Sequence, residues 1–246
     1  MGFHFSMGNR ANFRLQIDPS YTPPPAPVVY TYRFLEYIGS SGTQYVLTDI
    51  VPTYTDKAEI TALFGDQDGS NLNYGSLFGY RGSTVGGFGI RFEGPRQDDP
   101  YENICFFCGF DAYVGIIYDY VMNHHKVNSY NDAPGTGFLQ RGTCRWDNDT
   151  ITPDQSINVP APTLGMPIFA GWRDASGGGG EIHPFKRRNW MHVYRFKLYD
   201  SSSTVINDLV PAERQPDGVL GLYDTVTGKF YTNAGTGTFV KGNYVD

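Results

Sequence analysis

Short stretches of alternating side chains, separated by glycine and proline, constrain this chain more than any other feature. Ala58, Ile60 and Ala62 alternate with mainly polar side chains, and residues 190–198 alternate in the same way. A period of two places successive side chains on opposite faces of a strand, whereas an amphipathic helix needs a period near 3.6. Beyond residue 31 the sequence keeps no helical period. We therefore expect an all-β chain.

The composition favours the same interpretation. Aromatic residues make up 15% of the chain, with 30 glycines and 16 prolines. Aromatic rings suit pleated sheets, while glycine and proline suit the connections between strands. About ten or more short antiparallel strands are typical of a two-sheet sandwich. The predicted strands are Phe34 to Ile38, Tyr45 to Ile50, Ala58 to Phe64, Phe88 to Phe92, Tyr113 to Val121, Gly137 to Trp146, Met166 to Trp172, Trp190 to Leu198, Val219 to Tyr223 and Lys229 to Tyr231.

One of these strands carries a specific expectation about its faces. Between Trp190 and Leu198 the even-numbered residues are all apolar or aromatic, and the odd-numbered ones are mixed. An unbroken period of two places all the even-numbered side chains on one face. That face is predicted to hold Trp190, His192, Tyr194, Phe196 and Leu198.

The first 30 residues form a separate region. Six apolar side chains alternate on either side of a Gly8-Asn9 turn signal, which indicates a β-hairpin arm over residues 1–18. They are Phe3, Phe5, Met7, Phe13, Leu15 and Ile17. A lone two-stranded unit is marginal in water, so we expect another surface, in this domain or in another subunit, to cover the arm. Residues 19–30 are a proline-rich, extended linker, and residues 31–246 are the sandwich domain.

Charge and hydropathy exclude several classes of partner. The net charge is -6, which does not favour nucleic acid or an anionic membrane surface. No apolar run is long enough to span a bilayer, and the N-terminal residues lack the pattern of a cleaved secretion signal. Cys105, Cys108 and Cys144 are too few for a disulfide framework, so we expect reduced thiols.

Catalytic and metal-binding patterns are missing from the sequence. Glycoside hydrolysis needs two carboxylates at a fixed separation, and none of the six glutamates follows the Glu-x-Asp-x-(x)-Glu pattern of hydrolases with this architecture. The dense acidic stretch around Glu93 and Glu102 is interpreted as a solvated loop. The stretch Asp66 to Asn71 lacks the bidentate glutamate of a calcium loop, and Cys105 with Cys108 lacks a second ligand pair for zinc. We expect no enzymatic activity, no cofactor and no bound metal.

Two polar features leave alternatives open. Lys186-Arg187-Arg188, beside Trp190, either contacts a phosphate or a sialic acid or forms a solvated strand edge. Asp217 and Asp224 either cap turns or bind calcium at the rim of the sandwich. Turn capping is the commoner role for one or two carboxylates beside glycine turns.

Two segments resemble a known family. Residues 35–45 read LEYIGSSGTQY, and the last fifty residues contain FKLYD, DLVPAER, DGVLGLYD and GKFYTN. Together they resemble the laminin-G-like, concanavalin A-like jelly-roll domains of phage and prophage proteins of gut bacteria. The resemblance covers about residues 33 to 240 with a divergent middle. It implies a curved antiparallel sandwich whose first and last strands pair, in a virion or cell-surface context, and it implies no catalytic residue.

Two functions remain in competition. The first is a non-enzymatic virion protein, an auxiliary or decoration protein of a phage capsid or an attached fibre, anchored to other virion subunits by its arm. It would be made in the host cytoplasm, function in the virion and be oligomeric there. The alternative is a carbohydrate-binding module in which exposed rings such as Trp146 and Trp172 lie over host or mucosal glycans. The arm and the linker favour the first function.

Overall fold

A computed structural model describes the chain in ten segments, and every regular element in them is a β-strand. The segments are residues 29–64, 75–81, 87–93, 103–109, 120–123, 134–140, 143–151, 163–173, 180–184 and 190–245. The all-β prediction is confirmed for these residues. The predicted arm, nearly all of the linker and most of the strand predicted from Tyr113 to Val121 lie outside them. No helix in the described segments is long and apolar enough to cross a membrane.

Nineteen strands lie within these segments, numbered in chain order. They are β1 (Thr31–Phe34), β2 (Ile38–Ser40), β3 (Val46–Leu47), β4 (Lys57–Phe64), β5 (Gly75–Arg81), β6 (Gly87–Glu93), β7 (Asn103–Gly109), β8 (Tyr120–Asn123), β9 (Gly135–Gln140), β10 (Thr143–Trp146), β11 (Asp149–Ile151), β12 (Pro167–Ile168), β13 (Ala170–Arg173), β14 (Glu181–Pro184), β15 (Met191–Tyr199), β16 (Val205–Gln215), β17 (Val219–Asp224), β18 (Phe230–Thr232) and β19 (Val240–Lys241).

The strands form two sheets. The larger has eleven strands in the order β11-β10-β9-β4-β15-β16-β17-β18, with β1, β2 and β19 attached beside β15 and β16. The smaller has eight strands in the order β14-β13-β5-β6-β7-β8, with β12 and β3 at its side. Neighbouring strands are antiparallel except for β13 and β5, which pair in parallel at Trp172 and Tyr80. The prediction of antiparallel pairing is therefore wrong for this one pair.

The two sheets pack face to face, an arrangement compatible with a β-sandwich. Phe78 on β5 meets Phe196 on β15 edge to face, with ring centroids 5.0 Å apart. Gly137 on β9 faces the side chain of Ile90 on β6, because a Cβ atom added at Gly137 would lie 2.8 Å from Ile90 Cδ1. The core between the sheets is almost fully buried and apolar. Its largest side chains are Trp146, Tyr80, Phe78, Phe106, Phe169, Phe196, Ile38 and Ile60.

The larger sheet forks where the beginning and the end of the domain meet. One edge of β15 pairs with two different strands. Its first residues, Met191 to Val193, pair with β2, and its last residues, Phe196 to Tyr199, pair with β16. β1 pairs with the far end of β16, so residues 31–40 form a wedge between the two strands. β19 then pairs with β2. The opening and closing segments of the domain are thus paired through β2 and β19.

The alternation of β4 is confirmed, since Ala58, Ile60 and Ala62 are completely buried. The unbroken alternation expected in β15 is wrong. The register against β4 shifts between Val193 and Arg195, so Tyr194 is an extra residue in a bulge. A bulge re-aims the side chains on either side of it. Consequently Met191 and Val193 face the core before the bulge, and Phe196 and Leu198 face it afterwards.

The closing hairpin is held by one buried carboxylate. Asp224 is fully buried and accepts hydrogen bonds from Asn207 Nδ2 (2.7 Å), Asp208 N–H (3.0 Å), Val226 N–H (3.0 Å) and Thr227 Oγ1 (2.7 Å). Burial opposes ionisation, but these donors outweigh it and lower the pKa of Asp224. The turn ends at Gly228, whose φ of 73° favours glycine. Asp224 therefore caps a turn.

Candidate functional site

The bulge at Tyr194 creates an aromatic cluster on the outer face of the larger sheet. The rings of His192 and Tyr37 are stacked, with centroids 3.9 Å apart and planes 10° from parallel. Trp190 lies 4.5 Å from His192 on one side, and Tyr194 lies 5.4 Å from Tyr37 on the other. All four side chains are partly exposed. We call Trp190, His192, Tyr37 and Tyr194 the first cluster.

Two glycines allow these rings to lie close to the sheet. Gly39 pairs with His192 across the strands, and a Cβ atom at Gly39 would lie 2.6 Å from His192 Cδ2. A Cβ atom at Gly242 would lie 2.7 Å from Tyr37 Cδ1. Any larger residue at either position would push a ring outwards. The absence of side chains at Gly39 and Gly242 therefore determines how closely the rings of the first cluster approach the sheet.

Burial also sets the charge of the first cluster. It lowers the pKa of His192 below 6.5, although the nearby carboxylate of Glu36 acts in the opposite direction. At neutral pH the imidazole is therefore neutral. Burial, together with Glu36, raises the pKa of Tyr194, so that this phenol keeps its proton. The first cluster consequently offers uncharged rings with hydroxyl and N–H groups at their edges.

A second aromatic cluster lies further along the same face. Tyr32 lies 4.5 Å from Tyr223 and 5.0 Å from Phe230, and Phe34 lies 6.0 Å from Tyr223. The guanidinium of Arg214 sits 5.5 Å from the ring of Phe230. Leu222, the neighbour of Tyr223 on β17, is buried in the core, so Tyr223 points outwards. We call Tyr32, Phe34, Tyr223 and Phe230 the second cluster.

An open groove of about 420 Å³ separates the two clusters at the fork of the sheet. Tyr194 of the first cluster and Phe34 of the second both line it. The other lining residues are Leu35, Glu36, Arg195, Val210, Pro211, Thr225 and Val245. We call the two clusters and this groove the aromatic stripe.

The charged groups of the groove are unequally neutralised. Arg195 donates from Nε and Nη2 to the two carboxylate oxygens of Asp208, at 2.7 and 2.6 Å. This fork-to-fork pair is a strong hydrogen-bonded arrangement and raises the pKa of Arg195. The Arg195 side chain is nevertheless 49% exposed, so one edge of the guanidinium faces the groove. Glu36 has no ion pair among the described residues.

The structure corrects the role expected for Trp146. Its side chain is only 1% exposed and is one of the largest in the core. The ring lies over Gly135 and Gly137 of the paired strand β9, where a Cβ atom would come within 2.7 and 2.8 Å of it. It cannot lie over a sugar in the folded protein. The hypothesis that Trp146 is an exposed glycan contact is wrong.

Trp172 is partly exposed, but it does not join Trp146. It lies on β13 of the smaller sheet, whereas Trp146 lies on β10 of the larger. Its indole N–H donates to the carbonyl of Gly165 at 2.8 Å, and its ring packs against the core. The two tryptophans therefore form no common platform.

Several sequence features lie outside the described residues. These are the arm side chains Phe3, Phe5, Met7, Phe13, Leu15 and Ile17, the stretch Asp66 to Asn71 and the basic run Lys186 to Arg188. Within the described segments, no group of three or more His, Cys, Asp or Glu side chains is placed to hold a metal ion. Asp217, the other carboxylate of the closing hairpin region, pairs with Arg214 at 2.8 Å.

Sequence reasoning missed most of the aromatic stripe. Tyr37 lies in the opening segment that resembles the known family, and no motif there indicates a role for it. An unbroken alternation predicts His192 and Tyr194 on the same face as Phe196, which is buried. The signal that was present was the apolar character of both faces near Met191 and Val193, which a half-buried strand does not need.

Comparison with protein-family models, with curated proteins and with solved structures found no match to this chain. The aromatic stripe is therefore interpreted from its own chemistry.

Proposed function

We propose that this protein is a non-enzymatic carbohydrate-binding module whose ligand lies on the aromatic stripe. The observation that supports this most is the partly exposed stack of aromatic rings built on His192 and Tyr37 beside Gly39. The finer architecture that we propose is the concanavalin A-like jelly roll, with an N-terminal arm preceding it.

The chemistry of the stripe suits a sugar. One face of a pyranose ring presents C–H groups that pack on an aromatic ring, and its edge presents hydroxyls that need hydrogen-bond partners. Tyrosine and tryptophan combine an apolar face with a polar edge. Trp190 and Tyr194, at the two ends of the stack, are the rings offered to a sugar, while Glu36 and Arg195 provide an acceptor and a donor in the groove beside Tyr194. The aromatic side chains of the first cluster are already held by contacts with one another, so little of their conformational entropy is lost on binding.

The same groove does not favour hydrolysis. Glycoside hydrolysis needs a pair of carboxyl groups on opposite sides of the scissile bond. Among the described residues that line the groove, Glu36 is the single carboxylate. Asp208 is near the groove but is held by Arg195. We therefore propose binding without cleavage.

The test is a glycan array probed with the full chain and with two single variants. Tyr37→Ala removes the centre of the first cluster and should abolish array signals. Tyr199→Ala is the matched control, because Tyr199 is a half-buried tyrosine on β15, the strand of His192 and Tyr194, but outside the stripe. It should retain the signals. Equal loss in both variants, or no glycan bound by the wild-type protein, would contradict the proposal.

A second candidate function, attachment to a phage particle, is favoured by the way the chain enters the domain. Val29 is 81% exposed and Tyr30 is 44% exposed, immediately before β1. The preceding residues therefore join the domain at its surface, where an arm is free to reach a neighbouring subunit. Deletion of residues 1–27 should leave the domain folded but abolish co-sedimentation with the parent particle. Unchanged co-sedimentation would assign attachment to the domain itself.

A further inference from the structure

We propose that the aromatic stripe holds a linear, uncharged polysaccharide along its length, with sugar rings on both clusters and in the groove between them. This rests on the proposed carbohydrate-binding function and goes beyond it by naming the length and charge of the ligand.

The first reason is the extent of the ring contacts. Trp190, His192, Tyr37 and Tyr194 follow one another at 3.9 to 5.4 Å between centroids. On the other side of the groove the steps within the second cluster are 4.5 to 6.0 Å. The path crosses from β15 to β18, which are three strand spacings apart, or roughly 14 Å. A mono- or disaccharide is too short to contact both clusters.

The second reason is the continuity of the groove with both clusters. Tyr194 and Phe34 each belong to one cluster and also line the groove. A ligand that follows the rings therefore passes Glu36 and the exposed edge of Arg195. Both groups can bond hydroxyls.

The third reason is charge. Along the described stripe, Arg195 is neutralised by Asp208 and Arg214 by Asp217. Glu36 remains as the carboxylate without a counter-ion, and His192 is neutral at pH 7. The described residues of the stripe thus carry a slight net negative charge, which disfavours carboxylated or sulfated chains. An uncharged polymer fits this surface better.

The experiment is calorimetric titration of the full chain with neutral oligosaccharide series from dimer to hexamer, namely β-1,4-glucan, β-1,4-xylan and β-1,4-mannan fragments. Affinity should rise about tenfold or more between dimer and hexamer, since the longer chain engages both clusters at once. Tyr223→Ala should remove that gain and lower hexamer affinity towards that of the dimer. Tyr199→Ala should change neither.

Each other outcome has a definite meaning. If the hexamer binds no more tightly than the dimer and only Tyr37→Ala matters, this inference is wrong while the proposed function stands. Tighter binding of galacturonan fragments than of the neutral series overturns the charge assignment. If no oligosaccharide binds in either series, the proposed function itself fails. Binding of a peptide with the sequence of residues 19–27 to the stripe, in place of sugars, overturns both.

Discussion

The imidazole of His192 lies against the ring of Tyr37, with centroids 3.9 Å apart and an interplanar angle of 10°. The pair depends on chain segments far apart in sequence. Tyr37 lies in the wedge at the start of the domain, and His192 lies on β15, where Gly39 of β2 pairs with it. Closure of the domain therefore also builds the platform on its outer face.

Gly39→Ala should weaken glycan binding with little loss of stability. The new Cβ atom would lie 2.6 Å from His192 Cδ2 and from Val240 Cγ2, both at the ends of side chains that can move outwards. The displaced imidazole would no longer stack on the ring of Tyr37. Affinity and urea denaturation measured on Gly39→Ala, His192→Ala and the double variant form a double-mutant cycle. Additive losses of affinity would show that Gly39 acts independently of His192.

Acidification should destabilise the protein partly through His192. Burial lowers the pKa of His192 below its ordinary value of 6.5, so between the two values the unfolded chain binds a proton that the folded protein does not. The stability contribution is complete above pH 6.5 and is lost as the pH falls through the lowered pKa. Urea denaturation on both sides of this window should show a smaller loss for His192→Phe than for the wild type. Identical pH dependence in the two proteins would contradict the assignment.

Asp224→Ala should cost about 3 kcal/mol of unfolding free energy, because it leaves one buried and two partly buried donors without an acceptor. Those donors are the N–H of Asp208, which is buried, and the Asn207 amide and Val226 N–H, which are partly buried. Asp217→Ala is the control, since that carboxylate is exposed and bonds Arg214 and the Val219 N–H at the surface, and it should have a far smaller effect. Equal effects of the two substitutions, measured by urea denaturation, would mean that the capping network is not formed.

Leu222→Ala should cost about 2 to 5 kcal/mol, the usual range for a buried leucine. Leu222 is completely buried between β16 and β18, whereas Val226, in the following turn, is 51% exposed. Val226→Ala should therefore change stability by less than about 0.5 kcal/mol. Denaturant midpoints of the two variants check this. A small loss for Leu222→Ala would mean that β17 does not face the core.

The all-β class and the buried face of β4 were predictable, because alternation is a local property of the sequence. Ala58, Ile60 and Ala62 alone indicate which side of that strand is buried. The preference of glycine for the connections between strands is local in the same way, and Gly218 and Gly228 lie in turns with positive φ.

The candidate site was not predictable, because it depends on register between distant strands. The bulge at Tyr194 appears only when β15 is aligned with β4. Trp146 on β10 is buried because its partner on the paired strand β9 is Gly137, which leaves room for the ring. Nothing near Trp146 in the sequence indicates that partner. The fork that places Tyr37 beside His192 likewise exists only after β2 has paired with β15.

The most direct test of carbohydrate binding at the aromatic stripe is an NMR titration that follows the imidazole signals of His192 in the full chain. An oligosaccharide selected on the array is added stepwise, and His192→Phe identifies the signal. If the carbohydrate binds at the aromatic stripe, the His192 ring resonances should shift saturably, with the same dissociation constant as calorimetry gives. Saturable binding that leaves the His192 resonances unchanged would place the carbohydrate elsewhere on the protein and contradict the central claim.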